Sequence, residues 1–370
     1  MSENFWLNKK VLITGHTGFK GSWLTLWLKS LGAKIVGVSL DPPTIPSLYV
    51  KANVSEGIVD LRQDICDGKK IKEIFQQYQP EIVFHLAAQS LVRYSYKNPV
   101  ETYKTNVMGT LNILEGIRGI DSVRSVILVT TDKCYKNKEW VWGYRENDQL
   151  GGHDPYSSSK AAMELLVSSY RDSYFSKNDY GTHKVAIATV RAGNVIGGGD
   201  WAKDRLVPDI INAFENGDQV VIRNPMSIRP WQHVLEPLSG YLCLAKNLYL
   251  GSQNHGEAYN FGPSSNQDYP VSQLINEMSK YWNQIKWNDV SSNENHVHEA
   301  GLLKLNCDKA LFDLEWQATL QFKETVKMTV EWYKAYYQNR EQSMHDFSIG
   351  QIEAYTKSAR KNNISWADND

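Results

Sequence analysis

Nowhere in the 370 residues is there a run of the roughly 20 apolar residues that a membrane-crossing helix requires, so a membrane span is not expected. No apolar stretch precedes Lys9 and Lys10, which argues against a secretory leader. An excess of charge is missing too. Forty Lys and Arg face 41 Asp and Glu, a formal net charge of −1, so no global field draws the chain to nucleic acid or anionic lipid. Any anionic ligand must be held by local groups. Cysteine is scarce: Cys66, Cys134, Cys243 and Cys307 lie far apart without a CxxC pair, which excludes a zinc cluster or a disulfide framework and suits a reducing cytoplasm. There is no internal repeat and no low-complexity tract. What remains, 42% hydrophobic and 22% charged residues, is the composition of a soluble globular protein with a substantial core. The length suggests two domains or one large α/β unit.

The first half alternates short apolar runs with helical patterns. Strands are expected at KKVLITG, AKIVGVSL, EGIVDL, EIVFHLAA, SVILVTT and KVAIATVR. Between them, helices are expected at Gly21–Leu31, KKIKEIFQQY, VETYKTNVMGTLNILEGI and SSKAAMELLVSSYRDSYF. Val- and Ile-rich strands, each followed by a helix, imply right-handed crossovers and a doubly wound parallel α/β sheet. After Asn194, loops with clustered Gly, Pro and Trp indicate a smaller mixed domain on the carboxyl edge of the sheet. The expected division is residues 1–194 for a dinucleotide-binding domain, 195–341 for a substrate domain and 342–370 for a polar tail. Part of 229–262 is expected to return to the first domain.

Between the first strand and the first helix runs Thr14-Gly15-His16-Thr17-Gly18-Phe19-Lys20-Gly21. Gly15, Gly18 and Gly21 permit a tight turn and close backbone approach to a pyrophosphate, which the helix N-terminus then attracts. In a strand–turn–helix context this is a Rossmann dinucleotide loop, with Thr17, Phe19 and Lys20 as further cofactor contacts. The spacing GxxGxxG points to the short-chain dehydrogenase branch. Asp41 closes the second strand, where an acid accepts the ribose hydroxyls. The bland alternative is a turn residue before Pro42-Pro43. No Arg lies between Gly32 and Leu61, so a 2′-phosphate lacks a planar partner there, and NAD is expected rather than NADP. Asp64 and Ile65 are expected to border the adenine, and Leu86, Ala87, Ala88 and Gln89 to line the cofactor where the strand order reverses.

Tyr156-Ser157-Ser158-Ser159-Lys160 opens a helix after Pro155. Residues four apart share a helix face, so phenol and ammonium enter one cleft. Ionising a tyrosine at pH 7 costs about 4 kcal/mol, and one cation at about 4 Å supplies roughly that much. A second YxxxK, Tyr180 to Lys184, contains Gly181 and runs into a strand; it is read as a non-helical coincidence. Thr130-Thr131-Asp132-Lys133 ends the fifth strand at its carboxyl side, where such sheets bind ligands. Assisting the tyrosine needs only a hydroxyl, so the adjacent acid and amine suit an elimination. His296 and His298 lack a third ligand nearby and are read as a surface loop; no metal site is expected.

Together with HLAAQSLVRYSY, VRAGNVIGGGDWAKDRLVPD and RPWQHVLEPLSGYL, these words make the chain resemble the extended short-chain dehydrogenases that act on nucleotide sugars. Most narrowly they match the branch of 4,6-dehydratases that take CDP-glucose. The resemblance implies a redox-neutral lyase. Tyr156, helped by Lys160 and Thr131 and in contact with NAD, takes the 4-hydroxyl proton as hydride leaves C4. Asp132 is the general acid for the departing 6-hydroxyl. Lys133 stands where related enzymes carry Glu, and is expected to serve the C5 proton step or to stabilise the enolate. Arg191, on the cofactor, and Arg93, Asn194, Arg205 and Arg229, on the substrate, follow from cleft position and from the fit of guanidinium to pyrophosphate. The resemblance further implies a homodimer or dimer of dimers and a part in making deoxysugars of a bacterial surface polysaccharide such as O-antigen. A nucleotide-sugar 4-epimerase, a net oxidoreductase and a dinucleotide-sensing regulator are the rival readings.

Overall fold

The computed structural model describes residues 3–367 except 223, 265, 266, 283, 284, 286, 291–301 and 340. His296 and His298 therefore lie outside the described residues. Six β-strands follow the expected apolar runs: β1 (Lys10–Thr14), β2 (Lys34–Ser39), β3 (Val59–Arg62), β4 (Ile82–His85), β5 (Ser125–Val129) and β6 (Ala186–Arg191). A seventh, β7 (Ala258–Asn260), joins from far along the chain. Each neighbouring pair is parallel, in the order β7-β6-β5-β4-β1-β2-β3. β4, β5 and β6 are buried at every residue, which is why they read as continuous apolar runs instead of alternating ones. The order reverses between β1 and β4, so a crevice opens at their carboxyl ends.

Helices cover both faces. α1 (Phe19–Ser30) follows the glycine turn, and α2 (Gly68–Tyr78) starts on Asp67, whose carboxylate accepts the Lys70 N–H. The stretch from Pro99 to Ile117 is helical throughout, but residues 104–108 widen into a π-helical turn. α3 (Pro155–Tyr174) has Asp154 as its cap and Pro155 at its first position, where the missing N–H has no cost. After β6 the pairs are short: Val195–Ile196 with Gln232–His233, Ile228–Arg229 with Tyr269–Pro270, and Val220–Ile222 with Trp287–Asp289. α4 (Leu206–Glu215) and α5 (Leu235–Leu250) accompany them, α5 packing back on β5 and β6. One apolar cluster runs from Trp23 and Leu24 of α1 through Trp201 and Ile210. Among the described residues no helix is long and apolar enough to cross a membrane.

Two expectations are corrected. Tyr180–His183 does form one helical turn, closed by Lys184 in the left-handed region at φ 56°. It precedes β6 at the opposite end of the sheet from the crevice, and the Tyr180 ring packs on His183 and His255. The polar tail is a packed helix. Beyond α6 (Phe322–Gln338), α7 (Met344–Lys361) buries Met344, Ser348, Ile352, Tyr355 and Ala359, a helical stripe that the many polar residues around it obscure. The Tyr355 ring stacks on Trp366 at 5.4 Å and meets Trp27 of α1 edge-on at 5.7 Å.

Tyr355 also donates its hydroxyl to Glu236 of α5 at 2.8 Å. The buried Glu236 carboxyl accepts the Thr319 and Leu320 N–H groups as well, while burial pushes its pKa up to about 7. Tyr355→Phe leaves that carboxyl one donor short, a defect worth about 1–3 kcal/mol in an interior. Urea unfolding of the variant is expected to show a lower midpoint with an unchanged slope.

Candidate active site

Three residues of α3, Tyr156, Lys160 and Glu164, recur at i, i+4 and i+8 on the face turned to the sheet. All three are buried. Glu164 is the anchor: it pairs with Arg191 at 2.8 Å and accepts the hydroxyls of Thr130, just past β5, and of Thr189 on β6. One turn earlier, Lys160 Nζ donates to the Val129 carbonyl at 2.9 Å at the end of β5. At the next turn, the Tyr156 N–H is held by Ser95 Oγ at 3.1 Å. The π-helical turn locks the other flank, where the Asn106 amide bridges Ser159 Oγ and the backbone of Gln89. Burial pushes the Tyr156 phenol up to about 12, with Asp132 acting the same way against a lowering by the Thr131 hydrogen bond and Arg205. The sequence singled out Lys160 as the cation for this phenol. Arg205 is a further cation acting on it, and Lys160 is itself lowered to about 8 by burial and by Lys20.

At the carboxyl end of β5, Thr131 caps a short turn through Asp132–Cys134 by accepting the Lys133 N–H. Thr131 Oγ1 donates to Asp132 Oδ1 at 2.9 Å. Asp132 is 2% exposed, and its Oδ2 is buried without a hydrogen-bond partner among the described residues. A Cβ on Gly193 would overlap that oxygen, so glycine is what lets β6 pass beside the acid. Lys133 is exposed, unlike its neighbours, and its ammonium makes no hydrogen bond or ion pair with the described residues.

Lys20 reaches the same place from the glycine loop. It is lowered to about 8 by burial and by Arg205, against the pull of Asp132. The sequence placed it with the dinucleotide loop alone; its electrostatic neighbours are Asp132, Lys160 and Arg205. A cationic residue inside an otherwise small and apolar loop was the available signal. Arg205 is fixed by Asp200 at 2.8 Å and Ser90 Oγ at 3.1 Å. Arg93 pairs with Asp204 at 2.9 Å on the rim, joining the two segments that flank the crevice. Asn194 holds the turn after β6 at φ 49°, its carbonyl accepting the Gln232 N–H. Arg229 lies on its short strand, one guanidinium N–H donated to the Ile228 carbonyl.

The loop fits a pyrophosphate. Gly15 has φ +77°, and a Cβ there would sit 2.7 Å from the Ala87 nitrogen; a Cβ on Gly21 would overlap the Gly15 carbonyl. Gly18 caps α1 without any side-chain acceptor, and the first turn holds no acid, so its N–H groups face an anion site. Thr17 Oγ1 bonds Ser39 Oγ at 2.7 Å, Phe19 packs near Gly197, and Ala87 N–H donates to Thr14 Oγ1 across the reversal point. Leu86 and Ala88 flank it on the β4 extension. Asp64 Oδ1 accepts the Cys66 N–H, and Ile65 is buried against Gly109.

Three expectations are corrected. Arg191 does not face a ligand: its N–H groups go to Glu164, the Tyr135 hydroxyl and the Glu146 carbonyl in the interior. Gln89 turns its side chain to Thr102 Oγ1 and the Leu91 N–H. Asp41 is not free of arginine, because Arg62 at the end of β3 reaches its Oδ1 at 3.1 Å.

A family model described as GDP-mannose 4,6 dehydratase matches residues 12–329. The chain is similar to CDP-glucose 4,6-dehydratase of Salmonella typhimurium, 50% identical over 337 residues that cover 91% of this chain and 93% of the relative. It is 26% identical to dTDP-D-glucose 4,6-dehydratase of Homo sapiens over 345 residues, 90% of this chain and 91% of that one. Among solved structures, UDP-glucose 4-epimerase of Thermotoga maritima with UDP-glucose has the same fold, with a TM-score of 0.74, 23% identity, and 88% and 99% of the two chains covered. dTDP-glucose 4,6-dehydratase of Bacillus anthracis in complex with NAD matches with a TM-score of 0.70, 19% identity, and 89% and 98% covered.

The Lys160 environment has a pH signature. A lysine that loses its proton near 8 when folded and near 10.5 when unfolded opposes folding at neutral pH, and that opposition is lifted as pH rises from 8 to 10.5. Lys160→Met is therefore expected to melt higher than the parent at pH 7, with the gap narrowing toward pH 10.5 in thermal scans without ligand.

Proposed function

This chain belongs to the GDP-mannose 4,6-dehydratase family, and we propose that within it the protein is a lyase converting CDP-D-glucose to CDP-4-keto-6-deoxy-D-glucose and water with NAD as its resident cofactor. The observation that carries this reading is the convergence of Tyr156 and Lys160 with a buried carboxylate, Asp132, whose second oxygen has no partner among the described residues. A carbonyl reductase or an epimerase has no use for that acid.

Gly15, Thr17, Gly18, Phe19 and Gly21 would hold the cofactor pyrophosphate, Asp41 the adenosine ribose, and Asp64 and Ile65 the adenine. Leu86, Ala87 and Ala88 would line its middle. When bound, NAD supplies the acceptor for the C4 hydrogen of the sugar and returns it to C6. The residues of the chain do the rest. Tyr156 takes the proton of the 4-hydroxyl as its phenol, high in the free protein, is lowered by the positive ring and by Lys160. Thr131 orients both Tyr156 and Asp132. Asp132 gives its proton to the departing 6-hydroxyl through the unpartnered Oδ2. Lys133, the nearest amine in sequence, serves the C5 proton. Lys20, Arg205 and Arg229 favour the substrate's diphosphate, with Arg93 and Asn194 on the sugar side.

The exposed apolar side chains of Leu165 on α3 and of Val100 and Met108 on the helical stretch beside it support a homodimer built on this face. Cytoplasmic location and a role in deoxysugar supply for a surface polysaccharide complete the proposal.

The test is incubation with CDP-, dTDP-, GDP- and UDP-glucose followed by mass spectrometry. Loss of one water from CDP-glucose alone is expected, with deuterium from C4 appearing on the new methyl; epimerisation without mass loss would refute the reading. Tyr156→Phe should lower kcat/KM by about 10²–10⁴-fold with the fold intact by circular dichroism. Lys133→Ala should slow solvent exchange at C5, and exchange at the parental rate would move that role to another base.

A further inference from the structure

Segment 198–205 carries Arg205, and α6 fixes that segment from behind. The buried Tyr333 hydroxyl donates to the Asp200 carbonyl at 2.5 Å and accepts the Asp200 N–H at 3.2 Å, so one side chain locks both peptide groups that flank Asp200. One turn further along α6, the Tyr337 hydroxyl accepts the Trp201 indole N–H at 3.1 Å. Trp332 lies where a Cβ on Gly198 would fall. Asp200 passes the constraint forward: its Oδ1 accepts the Ala202 N–H at 3.0 Å, and its Oδ2 accepts Arg205 Nη1 at 2.8 Å. Arg205 Nη2 then crosses the crevice to Ser90 Oγ at 3.1 Å, and from that side Arg93 pairs with Asp204 at 2.9 Å. Asp204 is left-handed at φ 62°, a conformation that persists in a non-glycine residue only where its surroundings over-determine it. Ser90 and Ser95, whose Oγ holds the Tyr156 N–H, belong to one short segment after β4, so guanidinium and phenol share a support.

We propose that Tyr333 is a positioning residue of this site: acting through Asp200, it holds Arg205 where the guanidinium meets the nucleotide diphosphate and faces Tyr156, a role that rests on the nucleotide-sugar reading of the crevice given above. An arginine side chain has several rotatable bonds, and ordering it at the moment of binding costs affinity. Here the ordering is done beforehand. One N–H goes to Asp200 and one to Ser90, and the rest of the fork remains for a ligand. The charged and titratable neighbours of Arg205 are Asp200, Tyr156, Tyr333 and Lys20; the carboxylate attracts it and Lys20 repels it. The guanidinium in turn favours the phenolate of Tyr156. Tyr333 touches neither ligand nor phenol in this scheme. Its ring packs edge-on against Trp201 and Trp332, contacts that phenylalanine would keep, so the hydroxyl alone carries the proposed role.

Calorimetric binding of CDP to the whole protein loaded with NAD, together with the pH profile of kcat/KM for CDP-glucose, tests this. Tyr333→Phe should weaken CDP by about tenfold. It should also move the acid limb of the profile, where Tyr156 loses its proton, to higher pH, because the phenolate loses its nearby cation. Asp200→Asn keeps an acceptor for the Ala202 N–H but gives up the ionic grip on Arg205, and should do the same; it decides the matter if circular dichroism shows Tyr333→Phe unfolded. With Arg205→Gln already in place, neither substitution should change CDP affinity or the acid limb further. An affinity and an acid limb that stay put in the folded variant, or shifts that persist undiminished without Arg205, overturn the inference while leaving the nucleotide-sugar reading intact. If dTDP, GDP or UDP binds the parent in place of CDP, the choice of cytidine falls, and the same comparison is made with that nucleotide and its glucose derivative. A parent that binds none of the four overturns both.

Discussion

The contact between Glu164 and Arg191 fixes everything above it. Two charges in a dry interior stabilise little overall, since desolvation offsets most of their attraction. Their value lies in position. Glu164 also receives hydroxyls from just past β5 and from β6, and Arg191 also binds Tyr135 and the Glu146 carbonyl, so every lone pair and donor has one place to go. Removing either partner would strand the other at a cost of about 3–5 kcal/mol. α3 therefore has a single register on the sheet. Lys160 and Tyr156, one and two turns toward its start, inherit that register, and so does the distance from phenol to crevice.

Around this fixed helix the protein gathers like charges. Lys20, Lys160 and Arg205 influence one another or Tyr156, with Asp132, Glu164 and Asp200 as their respective counter-charges. Burial already pushes both ammonium groups down to about 8, so the free site is electrostatically unfavourable. A dianionic diphosphate relieves that condition, which is a physical reason for the cleft to prefer such ligands although the chain as a whole is neutral.

Much of this was legible in the residues. Continuous Val–Ile runs gave the parallel strands, and a glycine turn between strand and helix gave the anion site. YSSSK after Asp154-Pro155 marked a helix start with its reactive face already determined by spacing. The failures share a cause: they depend on partners distant in sequence. Arg191 looked like a ligand-binding arginine because its position is at the crevice, yet Glu164, on another element, captures it. Arg62 lies one residue beyond Leu61, outside the stretch that follows Asp41 directly, and β3 returns it beside Asp41. The stripe in α7 was diluted by Ser, Gln, Glu and Lys, and its packing partners lie on α1 and α6. Tyr180–His183 shows the limit of local rules, since one turn of helix formed despite Gly181.

α7 also imposes an order of events. Trp27 belongs to the first helix after the glycine loop, yet its cover comes from Tyr355 and Trp366. During synthesis the nucleotide-binding half can assemble its strands early, but an indole on its flank stays bare until a segment translated much later arrives to close over it. The nascent chain thus exposes a sticky aromatic surface for most of its time on the ribosome, which makes this protein a natural client for chaperones that shield apolar patches co-translationally.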